Sequence, residues 1–181
     1  MSMHYCLPDE FETARYHLRR VKADDAEIIF DSYATDTEVT RFLGWKPHRR
    51  LADTSAFLEI AAAEWDIGSG FPVVAFDRIS GGFIGMFHPK LIGHRVNYGY
   101  VLQRSMWGRG CATEVMRWLV QHALAHPEIH RTEAFCDVDH PASARVMEKA
   151  GMEREGTLRS YFRHPNISEA PRDCVIYSKV R

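Results

Sequence analysis

One segment restricts the fold more than any other. Arg95–Leu102 reads as a strand and runs, through a short loop holding Gly108 and Gly110, straight into a long amphipathic helix over Gly110–Ala125. Ala112, Val115, Met116, Leu119, Val120 and Ala123 form its apolar stripe, and Pro127 stops it. Thr132–Val138 alternates again and reads as another strand. A helix carrying the chain from one strand to the next makes a crossover, which requires the two strands to be parallel. The chain is therefore expected to be α+β, a mixed and mostly antiparallel sheet with a central parallel βαβ pair.

The flanks fit the same plan. Residues 15–21 alternate as a first strand, and Asp24 with Glu27 three residues on has capping-box spacing before a helix over Ala26–Tyr33. Asp53 is expected to cap a second helix, with Phe57, Ile60, Ala61 and Trp65 on its buried face. Residues 71–77 and 83–88 form a hairpin around the polar turn Arg78–Gly82. After the crossover, Pro141 and Gly151 bracket a helix that buries Val146, Met147 and Ala150. Strands over Glu155–Phe162 and Cys174–Val180 complete the sheet.

The glycine-containing loop is also where chemistry is expected. A helix start presents unpaired backbone N–H groups and the positive end of the helix dipole, which suits a phosphate. Gly108 and Gly110 would let the backbone approach a diphosphate, with Arg104 and Arg109 adding charge from the side. The plain reading is a tight strand-to-helix turn. A dinucleotide fingerprint wants a third glycine where Thr113 stands, and no Gly-Lys-Ser/Thr follows to make a P-loop.

Composition excludes several classes. The 181 residues suit one domain, taken as 1–181, and 45% hydrophobic residues suffice for a core. A net charge of -1 argues against a nucleic-acid binder. Cys6, Cys111, Cys136 and Cys174 are widely spaced, so neither a metal site nor a disulfide framework is expected. His122 and His126 stand four apart on a helix but are read as a solvated face. The Met1–Cys6 start has no apolar signal region, and no run approaches membrane-span length, so a cytoplasmic protein is expected.

A second constellation follows the first. Trp107-Gly108-Arg109-Gly110-Cys111-Ala112-Thr113-Glu114 is succeeded by Asp139-His140-Pro141-Ala142-Ser143 and Glu148-Lys149-Ala150-Gly151-Met152. Together they resemble the GNAT superfamily of acyl-CoA-dependent N-acetyltransferases, the first run its pyrophosphate motif, the second its Asn-x-x-Ser helix. Thr13-Ala14-Arg15-Tyr16-His17-Leu18-Arg19 and Val39-Thr40-Arg41-Phe42-Leu43-Gly44-Trp45 resemble the branch of ribosomal-protein N-terminal acetyltransferases (Rim-type). The chain departs from the family pattern at Ser105, at His140 where Asn is usual, at Met152 for Phe, and at Asn97 where relatives often carry Glu.

The resemblance implies an acetyl-CoA cosubstrate lying in a splayed gap between the two parallel strands. Val101, Leu102, Gln103, Arg104, Trp107, Gly108, Arg109, Gly110, Cys111, Ala112, His140 and Ser143 would bind it. It implies direct transfer to a peptide N-terminus or a small-molecule amine in a ternary complex. A backbone N–H near Leu102 would stabilise the developing oxyanion. Ser143 is the candidate proton donor to the thiolate, and Asp137, Asp139 or His140 the candidate base; the plain reading of Asp139 and His140 is a helix cap. Phe42, Trp45, Tyr98 and Tyr100 are candidate acceptor-pocket residues. Two alternatives stand beside this reading: a non-catalytic acyl-CoA-binding module and a nicotinamide-dependent oxidoreductase. A homodimer through an exposed strand of the C-terminal pair is a further possibility.

Overall fold

In the computed structural model of the chain, which describes residues 4–181, eight strands form a single sheet of order β1-β2-β3-β4-β5-β6-β8-β7. The strands are β1 (Glu10–Glu12), β2 (Tyr16–Arg20), β3 (Val73–Asp77), β4 (Phe83–Ile92), β5 (Arg95–Leu102), β6 (Arg131–Asp137), β7 (Glu153–Phe162) and β8 (Arg172–Val180). Every neighbouring pair is antiparallel except β5 and β6. The helices are α1 (Ala26–Ile29), α2 (Thr37–Thr40), α3 (Leu51–Asp66), α4 (Cys111–Ala125) and α5 (Pro141–Lys149). The parallel pair and its helical crossover stand where the periodicity put them. Met1–Met3 of the segment read for a signal region lie outside the described residues.

The sheet buries both faces. Val96, Tyr98 and Leu102 of β5 join Val115, Met116 and Leu119 of α4 and Met147 of α5 in one cluster. On the other face Val74, Phe83 and Met86 meet Ile29, Tyr33, Leu58 and Ala61 of the N-terminal helices. Alternation of β3 residues between the clusters, Val73 and Ala75 against Val74, is the strand period at work.

Several local expectations need correction. Asp25, not Asp24, closes the first helical turn: its carboxylate accepts the Lys22 N–H and a pair of bonds from Arg19. The expected helix Ala26–Tyr33 gives way after Ile29 to a wider π-type turn over Phe30–Ala34. The second helix starts at Leu51, so Asp53 stands inside its first turn and bonds back to the N–H groups of Arg49 and Arg50. That start rotates the buried face to Thr54, Leu58, Ala61 and Trp65 and leaves Ile60 64% exposed. His122, expected in solvent, is half-buried and stacks on Trp118. β4 runs on past His88 through Pro89, whose carbonyl still accepts the Phe71 N–H at 2.8 Å while Gly70 bridges Lys90 in the same register.

Candidate active site

β5 and β6 pair only over Arg95–Asn97 and Arg131–Glu133, and no pairing continues beyond that point. On its other edge β5 stays bonded to β4, where the Gln103 N–H donates to the Ile84 carbonyl. Antiparallel bonding alternates, so residues 101 and 103 spend their backbone on β4 while Tyr100 and Leu102 turn theirs toward the open side. The Leu102 carbonyl accepts the Trp107 indole N–H at 3.1 Å. Its N–H remains toward the gap. Gly85 makes this packing possible: a Cβ there would lie 2.2 Å from the Val101 carbonyl oxygen.

The gap opens into a cavity of about 570 Å³. Of the residues singled out from sequence, Val101, Leu102, Trp107, Gly108, Gly110, Cys111, Ala112, His140 and Ser143 border it, as do Asp137, Phe42, Tyr98 and Tyr100. Gln103, Arg104, Arg109 and Trp45 do not. Gln103 directs its side-chain amide to the Phe83 carbonyl. Arg104 is paired with Asp36, the residue that caps α2, and holds that carboxyl below the usual carboxylate range. Trp45 packs against His48 at 4.7 Å instead. Tyr98 points its hydroxyl into the core, donating to the Leu119 carbonyl at 3.0 Å.

At one end of the cavity lies the loop into α4. Gly108 and Gly110 adopt φ of 72° and 76°, a left-handed backbone that side-chain-bearing residues resist. The first turn of α4 leaves the N–H groups of Cys111, Ala112 and Thr113 without intrahelical acceptors. A clamp invisible in sequence fixes this turn. Glu114 accepts from the Arg15 backbone N–H at 2.8 Å, the Arg15 guanidinium at 2.7 Å and the Thr13 hydroxyl at 2.8 Å. Arg15 also donates to the Arg109 carbonyl at 3.1 Å. Burial opposes ionisation of Glu114, but these donors outweigh it and hold the carboxyl below its ordinary value. Backbone donors, a dipole and glycine φ values that admit close approach fit a diphosphate; the cations bordering the cavity are Arg145 and Lys149 of α5.

The other end is aromatic. Phe42 stacks on His140 with centroids 4.3 Å apart and meets His164 edge-on at 6.4 Å. Phe162 lies 5.1 Å from Phe135 and 5.2 Å from His164. A bulge between Leu158 and Phe162 turns the end of β7, with Ser160 at φ 48° held by the Asp173 carboxylate. Asn166 then ties this loop to the Phe42 segment through the carbonyls of Thr40 and Trp45, both at 2.7 Å.

Between the two ends stand the titratable candidates. The Ser143 hydroxyl is 2.8 Å from that of Tyr100, joining α5 to β5 across the gap. Burial raises the Tyr100 phenol well above its usual pKa and pushes the Cys136 thiol up to about 12. Asp137 is fully buried; burial opposes its charge, but two bonds from Arg172 at 2.6 and 3.0 Å and the Asp139 N–H hold it ionised below the usual range. His140 occupies the position before α5 without any side-chain capping bond, and burial lowers its pKa. Sequence reading passed over Phe135, Phe162 and His164, which come from separate elements and share no motif.

A family description, acetyltransferase (GNAT) domain, matches residues 15–153. The uncharacterized N-acetyltransferase YoaA of Bacillus subtilis is 30% identical over 173 residues, covering 94% of this chain and 96% of its own. The microcin C7 self-immunity acetyltransferase MccE, solved with acetyl-CoA and AMP, superposes with a TM-score of 0.85 at 20% identity, over 97% of this chain and 98% of that one. The ribosomal-protein-S5-alanine acetyltransferase of Vibrio fischeri superposes with a TM-score of 0.80 at 21% identity, over 94% and 96%.

Proposed function

This chain belongs to the GNAT acetyltransferase family, and we propose that it moves the acetyl group of acetyl-CoA onto a primary amine, a peptide amino terminus or a small molecule, by direct attack in a ternary complex. The family makes it an acyl-CoA-dependent acyltransferase with acetyl-CoA as cosubstrate. The observation that carries the fuller reading is the broken β5–β6 ladder, which leaves backbone polar groups of Tyr100 and Leu102 facing a cavity that ends on the α4 N-terminus.

On this reading the N–H groups at Gly108–Ala112 hold the diphosphate, with Arg145 and Lys149 taking the part that Arg104 and Arg109 leave. The Leu102 N–H stabilises negative charge developing on the thioester oxygen, a preorganised donor that costs no reorganisation during reaction. Ser143, bonded to Tyr100, hands a proton to the departing sulfur. His140, with its lowered pKa, is a neutral imidazole that forms an acceptor wall with Phe42. Asp137 serves through its fixed charge, since Arg172 already occupies its oxygens. No helix among the described residues is long and apolar enough to cross a membrane. We place the reaction in the cytoplasm, and a second copy would pair along the open edge of β7.

Thermal unfolding tests this directly. Acetyl-CoA at 100 times its dissociation constant should add about 2.7 kcal/mol to native stability, while NAD adds nothing. Free thiol should then appear with a panel of peptides and primary amines. Binding without thiol release on any amine would instead make the chain a non-catalytic acyl-CoA module.

A further inference from the structure

His164, in the loop after β7, is 2% exposed, and its ring borders the cavity. Its Nε2 lies 3.5 Å from the Asp137 Oδ2, while its Nδ1 is buried without a partner among the described residues. Buried polar atoms are almost always hydrogen-bonded, so an orphaned ring nitrogen beside a cavity calls for an occupant. Resting on the acetyl-transfer reading, we propose that His164 is a catalytic residue whose Nδ1 accepts the proton of the acceptor ammonium, with Asp137 orienting the ring.

A carboxylate facing Nε2 favours the hydrogen on that nitrogen, which leaves the lone pair on Nδ1. Asp137 on β6 is bound by the Arg172 guanidinium of β8, which Asp139 beyond it shares. Cys174 of β8, 3.9 Å from Nε2, is pushed up to about 11 by burial and stays a neutral thiol. His140 at the start of α5 also acts electrostatically with His164, Arg41, over the Phe42 ring at 5.2 Å, lies on the His140 side, and the uncharged Phe162 packs on the His164 ring at 5.2 Å. His140 differs: among the described residues no carboxylate is paired with its ring, and it presents its face to Phe42.

The protons balance. The ammonium gives one proton to Nδ1, and the neutral amine attacks the thioester carbon. A carbon–nitrogen bond forms and the carbon–sulfur bond breaks. The second proton on nitrogen replaces the one that Ser143 passes to the thiolate, and His164 returns its proton to water as the product leaves.

His164→Gln keeps a donor for Asp137 and removes the basic nitrogen. It should lower kcat/KM for the amine about 10²-fold or more at neutral pH and move the acidic limb of the pH–rate profile up to the ionisation of the amine itself, with the acetyl-CoA thermal shift retained. His140→Gln should leave the limb where the wild type has it. Activity of His164→Gln within about threefold of wild type, or a limb that moves in His140→Gln alone, overturns the assignment. A second measurement needs no turnover. Nitrogen-15 NMR of the wild-type imidazoles should find His164 protonated on Nε2 and bare on Nδ1 at neutral pH, and the opposite tautomer overturns the proposal. Failure of acetyl-CoA to raise the melting temperature would strike the acetyl-transfer reading separately.

Discussion

At the scale of single residues, the Ser143–Tyr100 pair makes the sharpest claim. A thiolate is a tolerable leaving group, with a free-thiol pKa near 8.5, so protonating it accelerates the reaction only modestly. Ser143→Ala and Tyr100→Phe should each lower kcat by about tenfold while leaving acetyl-CoA affinity within about twofold. Because the hydroxyls act in series, 2.8 Å apart, the double variant should be little worse than either single one. Additive losses would show that the two act independently. Ser143 was legible because a motif carries it. Tyr100 was legible only as an aromatic near the site, since its partner stands on an element far along the chain. His164 carried no signal at all: its meaning comes from a carboxylate that sequence reading had assigned to another task.

At the scale of elements, the loop into α4 is held by a turn from the opposite end of the chain. Arg15 follows β1, yet it bonds the first turn of α4 through Glu114 and the Arg109 carbonyl. Glu114→Gln removes the charge that gathers three donors. With the Arg15 side chain half exposed, the loss of stability should be about 1 kcal/mol and smaller at high salt. The acetyl-CoA dissociation constant should rise severalfold while kcat at saturation holds, because the loop positions the cosubstrate and takes no part in bond making. An unchanged affinity would mean the turn is set by its glycines alone. The elements themselves were largely readable, since α4 and α5 each have a long stripe or a proline start. What failed was short or frayed: β1 with three residues, α2 with four, and the π-type turn after α1. Such pieces are fixed by neighbours rather than by their own period, and the start of α3 slipped for the same reason.

At the scale of the whole molecule, the broken ladder leaves β6, β8 and β7 joined to the rest of the sheet through three residue pairs, and an ionic cluster ties the three strands to one another. Arg131 of β6 bonds Glu133 at 2.7 Å and grips both oxygens of Glu155 on β7 at 2.7 and 2.5 Å, while Ser178 of β8 donates to Glu155 as well. These bonds pull the Glu155 carboxyl down to about 2, Arg131 contributing most. An unfolded glutamate titrates near ~4.3, so the folded state binds its proton less readily. The stabilising contribution is therefore complete above about pH 4.3 and fades as pH falls toward 2. Glu155→Gln should be less stable than wild type at neutral pH, and the gap should narrow through that window. Urea midpoints measured between pH 7 and the acid limit would show it, and parallel curves for the two proteins would refute it. The buried Asp137, held ionised by Arg172, loses its charge in the same direction. Acid should thus loosen the C-terminal strands and strip the Asp137 charge from beside His164 by the same protonation chemistry.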